Sequence, residues 1–277
     1  MLSISHCNGT NGKSDSLVRK RRWLVLMALA FILLTGCAEV PITGRSQLMI
    51  LPEAQEIQMG MVAYQEVTKK YPVSTDPEIN ARVRDVGMRI ARATGRNDYQ
   101  WEFTVFDAPD TINAFALPGG KVGVFTGILR ITENDVGLAT VIAHEVAHAV
   151  ARHGGERVSQ GILLQMGQTA LNAAVRNRDP GTLRIINAAF GLGVNVGVVL
   201  PFSREQESEA DRLGLVYMAK AGYDPRGAVS FWRRMQQAEK GGRPPEFLST
   251  HPAPETRIRD LQRWIPEALR YYTPTTR

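Results

Sequence analysis

The run His144-Glu145-Val146-Ala147-His148 constrains this chain more than any other stretch of its sequence. Residues four apart on a helix share a face, so His144 and His148 can point at one ion while Glu145 stands beside them, placed to work on a water. The flanking Val141, Ile142, Ala143, Val146, Ala147, Ala149 and Val150 make the helix apolar nearly all round, which is the pattern of a buried helix. Two imidazoles and a carboxylate in such a helix need partners, because burying polar groups without them is costly. A metal ion meets that need. Zinc suits this donor set, with one position left open for water.

A third ligand has to come from elsewhere. Glu205, Glu207, Glu209 and Asp211 follow downstream, and both Glu205/Glu209 and Glu207/Asp211 have the spacing of one helical turn, so spacing alone does not choose. The helix faces separate them. Glu207, Asp211, Gly214, Leu215 and Met218 share a face that is small and apolar apart from the acids, whereas Glu205, Ser208, Glu209 and Arg212 share the polar side. Glu207 is therefore expected to point inward, with Asp211 one turn on as an acceptor that orients a ligand imidazole. Glu205 and Glu209 read as the solvated start of a helix, and His153, just past the motif, as a residue compensating a helix dipole rather than a ligand.

With Ser203 to Asp211, Asn113-Ala114-Phe115-Ala116-Leu117-Pro118-Gly119-Gly120 and Ser249-Thr250-His251-Pro252, the motif resembles the zinc metallopeptidases that include the CAAX prenyl protease and HtpX. Within them it is most similar to the periplasmic lipoprotein branch of LoiP and BepA, over about Val40 to Arg263. The resemblance implies an α+β, mostly helical zincin-type (gluzincin-like) domain with a small antiparallel sheet or hairpin. It implies one zinc ion held by His144, His148 and Glu207, and Glu145 as general base. An extended substrate would pair with the 113–126 hairpin, where Asn113, Ala114, Gly119 and Gly120 lie. Backbone pairing reads shape rather than sequence, so the expected substrates are unfolded or misassembled cell-envelope proteins. His251 and Arg257 are the candidates for stabilising the oxyanion. For His251 two further readings stay open: a gate that approaches the metal and holds the enzyme inactive, as the resemblance implies, or a histidine packed in a Pro-rich loop. Unlike BepA, the sequence ends soon after the protease domain, leaving no room for a helical-repeat tail. That puts docking to an outer-membrane assembly machinery in doubt as a partner role.

The N-terminal segment carries its own message. Arg19-Lys20-Arg21-Arg22 precedes an apolar run from Trp23 to Leu34, too short for a comfortable permanent span, which ends at Leu34-Thr35-Gly36-Cys37. A basic block, a short apolar run and a small residue before cysteine resemble a lipoprotein signal. The expectation is a signal peptide over 1–36, lipid on Cys37, a lead-in over 37–51 and one metallopeptidase domain over 52–277. Several acyl chains anchor stably where one does not, so the lipid bilayer is an expected partner. Ala38 stands where an inner-membrane retention signal places Asp, which favours the outer membrane on its periplasmic face. Cys7 would be removed and Cys37 acylated, so no disulfide is expected. Most of the formal +6 charge belongs to this same segment, with Lys13, Arg19, Lys20, Arg21 and Arg22 against Asp15 alone. Nucleic acid is therefore not an expected partner.

Periodicity and caps place helices over 52–71, 76–94, 133–152, 156–176, 204–221 and 225–239, with a last one from near Pro254. Asp76 reads as a cap with Pro77 at the first helical position, and Gly154-Gly155 as a helix end. A strand is expected over 101–106 and a hairpin over 113–126. The stretch 185–202 has no charge, but its Asn187, Asn195 and glycines read as a flexible apolar segment over the active site rather than a span. Two other functions compete with an endopeptidase. One is a non-enzymatic assembly factor, which would not need Glu145 as a base. The other is an aminopeptidase, which would need a site for a free N-terminus.

Overall fold

A computed structural model describes residues 37–174, 202–240, 245–251 and 256–274. The signal segment 1–36 and nearly all of the apolar stretch 185–202 lie outside the described residues.

The first described element is a small hairpin, β1 (Cys37–Glu39) paired antiparallel with β2 (Ser46–Leu48). The lead-in is therefore more than extended chain. Val40 is buried, and Gln47 Nε2 donates to the carbonyl of Ala151 at 2.9 Å, which docks the hairpin on the end of the motif helix. Next come α1 (Glu53–Lys70) and α2 (Pro77–Thr94). At α2 the expected cap forms: Asp76 accepts from the Glu78 and Ile79 amides and Pro77 takes the first turn.

The sheet has the order β3 (Glu102–Phe106), β5 (Lys121–Phe125), β4 (Ala114–Leu117). β4 and β5 form the expected hairpin, turning through Gly119 and Gly120 at φ 87° and 96°, backbone that favours glycine. β3 joins the other side of β5 in parallel, so the sheet is mixed rather than purely antiparallel. β5 is buried along its whole length as the central strand, and β4 is left at an edge.

After the short α3 (Leu129–Thr132) comes α4 (Asp135–Val150), which carries the motif. Asn134 caps it, accepting from the Gly137 amide at 3.0 Å. From Gly137 to Val150 every residue is buried, because α4 runs through the middle of the molecule against α2, α6 (Arg204–Lys220) and α7 (Gly227–Lys240). Each of its Leu138, Val141, Ile142 and Val146 side chains is fully covered, contributing about 1.5–3 kcal/mol. Gly214 lets α6 come close: a Cβ there would lie 3.3 Å from the His144 amide nitrogen.

One boundary differs from the sequence expectation. The chain turns at Arg152, with φ 57°, and α5 (His153–Ala174) begins at once, so Gly154 and Gly155 lie inside a helix instead of ending one. Arg152 holds this left-handed backbone because its guanidinium pairs with buried Glu56, donating from Nε at 3.2 Å. Gly155 then gives way to the same Glu56 side chain, whose carboxyl carbon lies 2.3 Å from where a Cβ would be. The short α8 (Phe247–Thr250) and α9 (Thr256–Ala268) close the domain over α6 and α7. Among the described residues no helix is long and apolar enough to cross a membrane.

Candidate metal centre

α4 and α6 bring the expected donors together. His144 Nε2 and His148 Nε2 face each other at 3.2 Å. Glu207 enters from the first turn of α6, with Oε1 3.2 Å from His148 Nε2 and Oε2 3.5 Å from His144 Nε2. A capping box sets that first turn: Ser203 Oγ accepts from the Gln206 amide and Gln206 Oε1 accepts from the Ser203 amide. His251, where the chain leaves α8, is the fourth member, with Nδ1 3.0 Å from Glu207 Oε1 and 3.3 Å from His144 Nε2. One donor atom from each of these four buried residues lies within 4.8 Å of the others.

This donor set fits zinc. Two imidazole nitrogens 3.2 Å apart and a carboxylate oxygen 3.2 Å from one of them bring the donor types that zinc takes to one buried point. Glu145, next to the ring of His144, has one buried oxygen, Oε1, with no hydrogen-bond partner among the described residues; it lies 3.5 Å from His251 Nε2. A buried orphan acceptor beside a metal site is placed to receive a proton from water.

The local fields agree. Burial pushes the carboxyl of Glu145 up, toward the range of a group that both takes and returns a proton. Burial also opposes ionisation of Glu207, but hydrogen bonds from His144, His148 and His251, with the charge of His144, hold it well below the usual carboxylate range. Burial pushes His148 well below its ordinary value, keeping it the neutral donor a metal needs. At His144 burial acts the same way, but hydrogen bonds to Asp211 and Glu207 outweigh it and push the ring up to about 9. The site asks for positive charge, which a metal ion supplies by displacing that proton.

Around the donors, Asp211 Oδ1 lies 3.0 Å from His144 Nδ1 and accepts its N–H, as the helix-face reading expects. Arg257 is placed differently from an oxyanion partner. Its Nη2 donates to Asp211 at 2.7 Å and its Nη1 to Glu207 at 3.0 Å, while the guanidinium lies 3.3 Å above the ring of Trp232. These contacts make it the cation that fixes the two inward acids of α6. Glu205 is exposed, but Glu209 is not the solvated residue its spacing suggested. It is buried and held below its usual range, against burial, by hydrogen bonds from His153, Thr43 and Arg45. His153 also departs from its dipole reading: it is fully buried, with Nδ1 2.9 Å from His148 Nδ1 and Nε2 3.0 Å from Glu209 Oε2. Its position five residues past His148 gave no helical signal, because the turn at Arg152 intervenes.

The edge-strand residues divide. Asn113 and Ala114 open β4: Asn113 Oδ1 accepts the Ala114 amide, and Asn113 O accepts the Phe125 amide. Gly119 and Gly120 lie in the turn beyond, against Ile57 and Trp101. Beyond these residues β4 packs against the motif helix α4, with the backbone of Ala116 near Glu145. Phe202, also missed, stacks near the rings of His148 and His251, with centroids 4.0 and 5.1 Å away. Nothing is described of the Cys37 side chain, although its backbone pairs with Leu48.

Comparison with known proteins agrees with this geometry. The profile of peptidase family M48 matches residues 77–265. The mitochondrial metalloendopeptidase OMA1 of Schizosaccharomyces pombe is 38% identical over 233 residues, covering 83% of this chain and 66% of the relative. The human metalloendopeptidase OMA1, mitochondrial, is 32% identical over 280 residues, covering 91% of this chain and 52% of the relative. The beta-barrel assembly-enhancing protease of Escherichia coli is 30% identical over 238 residues, covering 80% and 46%. The matches thus take in between 46% and 66% of these relatives' own lengths, and include mitochondrial as well as bacterial proteins. With two histidines and a glutamate converging on one buried point and a buried acid beside them, the chain belongs to peptidase family M48 and is a zinc metallopeptidase.

Proposed function

We propose that the chain is an endopeptidase, held by lipid on Cys37 at the outer membrane and facing the periplasm, that cuts unfolded or misassembled envelope proteins. The observation that carries this reading is the packing of the edge strand β4 against the motif helix α4, which sets that edge alongside the acid expected to do proton transfer. An extended segment laid on that edge runs its backbone past Glu145, and main-chain pairing admits any sequence that can be drawn out. The lipoprotein-like sequence around Cys37 and the bacterial relative's name support the envelope setting.

His144, His148 and Glu207 would hold the ion. Zinc, when bound, supplies a Lewis acid that acidifies water and polarises a peptide carbonyl. Glu145 takes a proton from the attacking water as the carbon–oxygen bond forms. It returns a proton to the nitrogen as the carbon–nitrogen bond breaks. Asp211 keeps His144 in the tautomer that offers Nε2, and Arg257, donating to both α6 acids, keeps them aimed. His251 reaches Glu207, His144 and the neighbourhood of Glu145 together, which suits a gate over the donors. His251→Ala is then expected to raise cleavage of an unfolded protein; a fall would make His251 a partner of the oxyanion instead.

Two measurements test the whole reading. Incubated with unfolded casein, the purified protein should release internal fragments, and a chelator should stop it. Release of single N-terminal residues without internal cuts would make it an aminopeptidase. In a diderm host, Cys37→Ser should move the protein out of the outer-membrane fraction; unchanged partition would remove the lipid anchor from the proposal.

A further inference from the structure

The two histidines of the motif are supported unequally. His144 donates its Nδ1–H straight to a carboxylate, Asp211, at 3.0 Å. Among the described residues no carboxylate reaches that nitrogen of His148. Its Nδ1 faces the Nδ1 of His153 at 2.9 Å. When His148 offers Nε2 to a metal, its proton sits on Nδ1, so His153 must accept there. That requires the proton of His153 to be on Nε2, where it is donated to Glu209 Oε2 at 3.0 Å. Every proton along this chain of contacts then has one assigned place.

Glu209 in turn is aimed by the N-terminal hairpin. Arg45 Nε donates to Glu209 Oε2 at 2.8 Å, and Thr43 Oγ1 donates to Glu209 Oε1. The rest of the Arg45 guanidinium makes a bidentate pair with Glu156, at 2.8 Å from both Nη1 and Nη2. Glu156 Oε2 also accepts from Gln206 at 2.7 Å, the capping residue just before the ligand Glu207. Arg45, Glu156 and Glu209 are therefore tied at both ends to the metal centre: through His153 to His148, and through Gln206 to the turn that presents Glu207.

We propose that Arg45 and Thr43 of the N-terminal hairpin are positioning residues for the metal, acting through Glu209 and His153 on the orientation and tautomer of His148. The hairpin that follows the expected lipid-bearing cysteine is thereby part of the metal centre's support rather than a passive lead-in. Its undocking loosens one ligand ring while leaving His144 and Asp211 in place. The inference rests on His148 being a zinc ligand.

The test is zinc affinity, read by competition with a chromogenic chelator on the full-length chain in detergent micelles. Outer contacts to ligand histidines typically change metal affinity by about 10–100-fold. Arg45→Gln is expected to weaken zinc about tenfold, and His153→Gln at least as much. The double variant decides the route. If Arg45 acts through His153, Arg45→Gln costs less than about twofold once His153 is already Gln, because coupled residues are not additive. A hairpin that merely stabilises the fold gives the same loss in both backgrounds, and that result overturns the proposal. Thr43→Val, close in shape, is the milder variant should Arg45→Gln fail to fold. It should weaken zinc measurably with the thermal unfolding of the chelated protein unchanged, and unchanged affinity there also overturns the idea. Failure of the unsubstituted protein to bind zinc would sink the ligand assignment itself, whereas zinc binding that these variants leave untouched sinks only the role of the hairpin.

Discussion

Glu145→Gln is expected to keep the fold and the zinc content while lowering peptide hydrolysis by about 10²–10⁴-fold. The substitution is nearly isosteric, and Glu145 is buried. The packing of α4 on β4 involves several residues, so a glutamine at this one position leaves it in place. What is lost is an ionisable oxygen that no described residue hydrogen-bonds, beside the converging ligands. None of His144, His148 or Glu207 is touched, so metal analysis of the variant should match the unsubstituted protein. Turnover of unfolded casein, zinc stoichiometry and thermal unfolding together check this. A variant that still cleaves at close to the original rate would remove Glu145 from the chemistry. A variant that cleaves nothing yet supports envelope integrity in the cell would show that holding substrates, not cutting them, is the function.

The second large effect is on stability. Arg257→Met should destabilise the chelated protein by about 3–5 kcal/mol, the usual cost of removing one partner from a buried ionic cluster. Arg257 is buried and contributes the guanidinium that reaches both Asp211 and Glu207. Without it two buried carboxylates of α6 lose their shared cation. Methionine keeps an apolar stem over Trp232, so the change isolates charge from packing. Urea unfolding with chelator present measures the loss. A change below about 1 kcal/mol would mean that water or a protonated acid compensates at no great cost, and the cluster would not be the support described above.

Both predictions depend on features that differ in how openly the sequence shows them. The apolar surroundings of His144 and His148 announce a buried helix, and the alternation of small and acidic residues from Glu207 to Met218 announces which face of α6 turns inward. Both signals are local, because helical periodicity fixes direction once the helix exists. For the same reason the cap at Asp76 and Pro77 and the hairpin through Gly119-Gly120 could be read directly.

What stayed hidden depends on pairs far apart in the chain. Glu209 has the spacing of a solvated acid and is buried only because Arg45, 164 positions earlier, folds onto it. His153 lies outside the helical register of the motif and returns to His148 only because Arg152 adopts a left-handed turn held by Glu56, 96 positions away. Arg257 could be named as a residue near the chemistry, but not which way it would point. The parallel partner β3 was likewise out of reach, since period-two alternation marks a strand without saying what pairs with it. By itself the sequence determined the donor atoms, the buried helix and the inward face of α6, because each follows from repeat distances along one element. Only the tertiary structure decided what holds those donors in place. Charge and hydrogen-bond partners are chosen by proximity in space, and no periodicity along the chain encodes that.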